Sequence, residues 1–167
     1  MEIWDGYDKN GNLTGTDLVR GQPVPDGMYH LVCRVLVQHA DGSYLIMHRD
    51  PCKQNHPGAW EATAAGSALK GETALACAWR ELAEETGITE GSMHSLGRVV
   101  EEKGHYLCER FVCLTHTDKS KITLQEGETV GFAWLTENEF RRFVRGGQMI
   151  PNHKKQYSDY FIQKGYL

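Results

Sequence analysis

Proline is scarce in this chain, at 5 of 167 residues, and no tract of low complexity or internal repeat accompanies it. A Pro-rich spacer or a repeat solenoid is therefore excluded, and a single domain over residues 1–167 is expected. No apolar run approaches the roughly 18 residues of a membrane span. The opening Met1-Glu2-Ile3-Trp4-Asp5 is acidic where a signal peptide would be basic and then apolar. Five cysteines, Cys33, Cys52, Cys77, Cys108 and Cys113, are odd in number and have no C-x-x-C spacing, which argues against a disulfide framework. Cys33, Cys77 and Cys113 lie in apolar segments and are expected to be buried free thiols, so a reducing, cytoplasmic setting is expected. Positive charge is also short: 18 Lys and Arg stand against 22 Asp and Glu, a net charge of -4. A general nucleic-acid surface is not expected, nor is there an aromatic-plus-basic stripe for single strands. A small anionic substrate remains compatible if bound cations invert the local charge.

Strand and helix patterns alternate along the chain, which points to an α/β fold. Ile3 to Tyr7 and the segment after Asn10-Gly11 predict an N-terminal β-hairpin within residues 1–27. Tyr29 to Gln38 and Tyr44 to His48 predict strands turned by Asp41-Gly42, and a strand-like Trp60-Glu61-Ala62-Thr63 leads into a glycine loop. Further strands are predicted at Leu96 to Glu102, Tyr106 to Thr115 and Thr129 to Leu135. Thr136 and Glu139 form a capping box that opens a helix ended by Gly146-Gly147, and a terminal helix is expected from Asn152 or His153 to Lys164. Trp4, Tyr106, Phe132 and Trp134 are expected to serve the core rather than to stack on a ligand.

The densest chemistry lies in residues 66–88. Leu75, Ala78, Trp79 and Leu82 recur at the spacing of one buried helix stripe. At about 100° per residue, Glu81, Glu84 and Glu85 share a neighbouring stripe. Side-by-side carboxylates repel, and near a helix C-terminus they also meet the negative end of the dipole. Arg80 is placed to pair with Glu84 one turn on, and Gly87 stands where a left-handed C-cap belongs. Two readings account for such a stripe: a solvated acidic face, or a site for a hard cation such as Mg²⁺, which prefers carboxylate and water oxygens.

Gly66, Glu72, Arg80, Glu81, Leu82, Glu84, Glu85, Gly87 and Ile88 together fill every fixed position of G-x5-E-x7-R-E-U-x-E-E-x-G-U, where U is bulky and apolar. The run resembles the Nudix box of the Nudix hydrolases. That resemblance implies a Nudix α/β/α sandwich with a mixed sheet and hydrolysis of a nucleoside diphosphate linked to another moiety X. It implies Mg²⁺, with Mn²⁺ as a substitute, held by Glu81, Glu84, Glu85 and the Gly66 carbonyl, with Arg80 orienting a glutamate and Glu72 holding the loop against the helix. The general base is left open among Glu84, Glu85, Glu126 and Glu128. Arg49 and Glu126 are expected near substrate, as are Lys53 and His48 after the preceding strand. The expected partner is a small phosphorylated molecule, and the N-terminal hairpin is expected to pair across a homodimer.

A second likeness runs over nearly the whole chain. Trp4-Asp5-x-Tyr7-Asp8, Asn10-Gly11, Thr14-Gly15, Arg20-Gly21, Tyr29-His30 and Pro57-Gly58-Ala59-Trp60 are similar to the Nudix subgroup related to isopentenyl diphosphate isomerase. The isomerases carry a catalytic Cys and a metal-binding His shortly after that Trp; here those places hold Ala65 and Ser67. The resemblance therefore implies a hydrolase ahead of an isomerase, and His30 is left with a local hydrogen-bond role. A non-catalytic Nudix sensor is the third reading, opposed by the full set of box glutamates.

Overall fold

The central strand owes its place to a run apolar on both faces, as a doubly covered strand must be. In the computed structural model, which describes residues 1–167, β1 (Ile3–Tyr7) and β2 (Leu13–Val19) form a separate antiparallel hairpin. The central strand is β3 (His30–His39), followed by β4 (Tyr44–Arg49), β5 (Trp60–Glu61) and β6 (Thr63–Ser67). Helix α1 (Ala74–Thr86) precedes β7 (Ser92–Glu101), β8 (Tyr106–Thr115) and β9 (Thr129–Leu135). Three helices close the chain: α2 (Glu137–Arg145), α3 (Pro151–Gln156) and α4 (Ser158–Gln163).

Strand β3 lies between β8, which it meets in parallel over its full length, and β6, which it meets antiparallel. The register pairs Arg34 with Ala65 on one side and with Arg110 on the other. Strand β4 pairs with β3 only at Gln38 and Tyr44, beside the turn, and then leaves to pair with β9 and β5. The two arms of that hairpin therefore diverge, and a wedge opens between the β6 edge and the β4–β9 half of the sheet.

Alternation along β3 sends its side chains to two cores. Leu31, Cys33, Val35 and Val37 pack with Cys77, Ala78 and Leu82 of α1. Leu36 faces the other way, into a cluster with Tyr44, Phe140, Tyr157, Phe161 and Tyr166. The result is the expected α/β/α sandwich on a mixed sheet, with the hairpin added. The Tyr157 hydroxyl lies 2.7 Å from the Arg34 carbonyl and 3.0 Å from that of Phe111, fixing the C-terminal helices to β3 and β8. Cys33, Cys77, Cys108 and Cys113 are buried free thiols and Cys52 is exposed. No helix is long and apolar enough to cross a membrane.

Several sequence expectations shift by a physical cause. The glycine loop is shorter than its motif suggests, because β3 offers a partner for β6 through Gly66 and Ser67. Leu75 is half exposed, while Cys77 and Thr86 take places on the buried stripe; Thr86 is tolerated there because its hydroxyl donates to the Leu82 carbonyl at 2.6 Å. Gly87 is the left-handed C-cap, with φ of 77°, and the Thr136–Glu139 capping box is present. The expected terminal helix is two short helices, broken at Tyr157.

Candidate active site

Arg80 organises the site. Its Nε and Nη2 donate to both oxygens of Glu72, at 2.9 and 2.8 Å. Nη1 donates to Glu81 at 2.5 Å, and Nη2 also reaches the Ser67 carbonyl at 3.0 Å. Glu84 is farther away, at 3.5 Å. The planar guanidinium fork suits this bidentate grip on a carboxylate. Glu72 accepts from the Leu69 backbone N–H at 2.9 Å, so the end of β6, the loop and α1 are tied through one side chain. Arg80 lies close to the negative charge it serves, which holds Glu72 below the usual carboxylate range.

Gly66 is needed for space. A Cβ there would lie 2.0 Å from Glu81 Oε1, so the carboxylate occupies the room that a side chain would take. One turn on, Glu85 Oε1 accepts from Ala65 N–H, an outward-facing amide of the β6 edge, at 3.4 Å. Burial, then the charges of Glu61 and Glu81, push the Glu85 carboxyl well above its ordinary value. Burial likewise raises Glu81 against the pull of Arg80, and raises Glu61 against the pull of Arg49.

These groups line one cleft of about 630 Å³ in the wedge of the split sheet. Glu81, Glu84, Glu85, Gly66 and Arg80 stand on one side, with Arg49, Lys53, Glu61 and Glu128 from β4, the loop after it, β5 and the approach to β9. Glu128 pairs with Lys53 at 2.5 Å, and Arg49 donates to Glu61 at 2.7 Å. Glu126 does not join them. It is exposed at the loop tip and absent from the cleft lining, where Gln125 stands instead. His48 turns away to the Gly58 carbonyl, 3.1 Å from Nε2, and stacks on Trp60.

The hairpin forms part of the cleft wall. Glu2, Trp4 and Arg20 line it, and Trp4 stacks on His30 with ring centroids 4.2 Å apart. Burial lowers His30 to about 4, so it is a neutral imidazole, with Ser67 Oγ 3.2 Å from its Nδ1. Asp5 accepts from the Gly71 backbone N–H at 2.7 Å, clamping the hairpin onto the loop before α1. Sequence reasoning passed over Glu61, Arg34, His153 and this wall. The usable signal was Arg34, a lone charge inside the apolar run of β3, and Glu61 in a strand otherwise expected to be buried.

No three acidic, His or Cys side chains already converge as a closed metal cage. The donor chemistry nonetheless fits a hard divalent cation: oxygen ligands only, on one cleft, with two box carboxyls raised by burial and mutual repulsion. The sign of the linkage gives a test. Carboxyls raised in the fold bind protons that the unfolded chain, near 4.5, has released. The native state then holds more protons, and stability falls as pH rises from about 4.5 through the raised values. In chelator, the melting temperature is expected to drop by several degrees from pH 5 to pH 8, and Mg²⁺ is expected to restore it. Glu85→Gln should flatten the chelator profile; an unchanged profile in that variant would refute the cause.

The NUDIX domain profile matches residues 28–159. A Nudix hydrolase of Listeria monocytogenes is 35% identical over 155 residues, covering 90% of this chain and 89% of its own. Among solved structures, a Deinococcus radiodurans protein superposes with a TM-score of 0.70 at 18% identity, covering 88% of this chain and 91% of that one. The dihydroneopterin triphosphate pyrophosphohydrolase of E. coli superposes at 0.59 and 17% identity, covering 81% and 98%; these two likenesses speak for the fold. A complete box on a helix facing a charged cleft, and a profile match over most of the length, place this chain in the Nudix family, as a hydrolase acting on pyrophosphate bonds.

Proposed function

We propose that the protein is a Mg²⁺-dependent hydrolase of a nucleoside diphosphate-X compound or a related organic diphosphate. The observation that carries this reading is the meeting, in one cleft, of Glu81, Glu84 and Glu85 with the cationic Arg34, Arg49 and Lys53. Glu81, Glu84, Glu85 and the Gly66 carbonyl would hold Mg²⁺, with Mn²⁺ as its substitute. When bound, the cation supplies Lewis-acid stabilisation of charge on the bridging phosphate oxygens. Arg80 sets the rotamer of Glu81, and the Glu72 clamp keeps Arg80 in place. Arg49 and Lys53 face the phosphates. Glu128, which is not needed as a ligand, takes the proton of the attacking water on a carboxylate oxygen. Lys53 beside it positions that carboxylate. Glu126 has no part in this scheme because it lies outside the cleft.

The isomerase reading lacks its thiol. Ala65 lines the cleft where the resemblance would put the catalytic Cys, and a methyl group transfers no proton. The test is a panel of nucleoside triphosphates, nucleoside diphosphate sugars, dinucleotides and isoprenoid diphosphates with Mg²⁺, assayed for phosphate, pyrophosphate and monophosphate release, with isopentenyl diphosphate isomerisation in parallel. Release without isomerisation is expected. Isomerisation without release would overturn the proposal.

A further inference from the structure

The cleft holds five cations, and four of them are already neutralised by a carboxylate. Arg20 pairs with Glu2, Arg49 with Glu61, Lys53 with Glu128, and Arg80 with Glu72 and Glu81. Arg34 has no carboxylate within ion-pair distance: the buried Glu61 feels its charge, but that carboxylate is held by Arg49. Arg34 takes part in none of the ion pairs of the fold, although it is only 8% exposed. Its Nη1 donates to His153 Nε2 at 2.6 Å and to Thr63 Oγ1 at 3.2 Å, both neutral acceptors. Its Nε has no hydrogen-bond partner. His153, also buried, is lowered to about 2 by burial and by the charges of Arg34 and Arg49, so it accepts and adds no charge. The nearby Cys108 thiol is raised by burial and stays protonated.

A buried guanidinium with no carboxylate in contact is costly, since desolvation of a charge is best repaid by a close opposite charge. Three elements nevertheless hold this one at the cleft: β3 supplies it, and Thr63 of β6 and His153 of α3 brace it. Arg34 pairs in register with Ala65, whose N–H meets Glu85. Arg34 lines the same cleft as Glu81, Glu84 and Glu85, across the β6 edge from them, and so borders the path of a phosphate chain whose bridge lies on those carboxylates.

We propose that Arg34, braced by Thr63 and His153, receives the terminal phosphate of the substrate, and that the enzyme prefers organic di- or triphosphates ending in a free phosphoryl group over diphosphates capped at both ends. The inference rests on the hydrolase reading for its kinetics but not for its binding test. Arg34 is a specificity-determining residue here; the box carries the chemistry.

The binding test uses the full chain in chelator, with inorganic phosphate as the probe and melting temperature as the readout. Ligand that binds only the native state raises that temperature. Phosphate is expected to raise it for wild type and for Arg20→Gln, and not for Arg34→Met. Retention of the shift in Arg34→Met, or its equal loss in Arg20→Gln, would mean that the summed charge of the cleft holds the anion and would overturn the proposal. Should Arg34→Met fail to fold, Arg34→Lys reads the same site. It keeps the charge and loses the fork, so phosphate affinity is expected to fall several-fold, and unchanged affinity is the contrary result. In kinetics, the KM of a nucleoside triphosphate is expected to rise about tenfold or more in Arg34→Met, the size of one charge-assisted contact. That of a nucleoside diphosphate sugar is expected to change little; an equal rise for both would refute the terminal assignment. Failure of the hydrolase reading would remove the kinetics and leave the phosphate shift in place.

Discussion

Glu84→Gln is expected to lower kcat by about a thousandfold or more while the protein stays folded. A charged ligand to a catalytic cation is worth several kcal/mol of transition-state stabilisation, at about 1.4 kcal/mol per tenfold in rate. The fold asks little of this residue. The Glu84 side chain is 47% exposed, and its one ion-pair partner, Arg80, is 3.5 Å away and better bound to Glu72 and Glu81. The melting temperature in chelator should therefore move by no more than a degree or two. Mg²⁺-dependent turnover and thermal melting on the same preparation check this. Unchanged turnover would remove Glu84 from the site.

The second large effect comes from a single added methyl group. Gly66→Ala is expected to cost at least about a hundredfold in kcat for about 1–3 kcal/mol of stability. Gly66 has an ordinary strand conformation, so alanine is not strained there by its backbone. The three atoms nearest to its Cβ would all belong to the Glu81 carboxylate, at 2.0, 2.1 and 2.3 Å. That carboxylate must swing out, leaving its charge-assisted bond to Arg80, worth about 1.5–3 kcal/mol. A crystal structure of the variant should show Glu81 displaced and β6 still paired with β3. Full activity would mean that the Glu81 position seen here is not the working one.

How far the sequence could be read depended on whether the deciding contacts were local. The α1 helix, its Gly87 cap, the Thr136 capping box and most strands rest on neighbours a few residues apart, and the sequence pattern shows them. The box stripe was equally legible, because helix periodicity alone brings Glu81, Glu84 and Glu85 together. The partner of Arg80 was less so: spacing favoured Glu84, while the fold gives the best grip to Glu72, which only the loop geometry brings near. Glu126 and Glu128 looked alike in sequence, two residues apart in one loop. The approach to β9 turns Glu128 toward Lys53 and leaves Glu126 in solvent. Arg34, Glu61 and His153 come from three distant segments and meet because β3 and β4 diverge. No local pattern encodes that divergence. Leu75 failed for a related reason: helix phase alone cannot say which flank of an apolar stripe the sheet will cover.

The most direct measurement follows oxygen. Substrate chosen from the panel is hydrolysed in ¹⁸O-labelled water, first with Mg²⁺ and then after chelation, and the phosphate products are weighed by mass spectrometry. The cleft and its glutamates predict one labelled oxygen in a single product of each pyrophosphate cleavage, and no product once the cation is removed. Product that keeps forming in chelator, or cleavage that leaves every phosphate unlabelled, would contradict water attack on a cation-held pyrophosphate bridge.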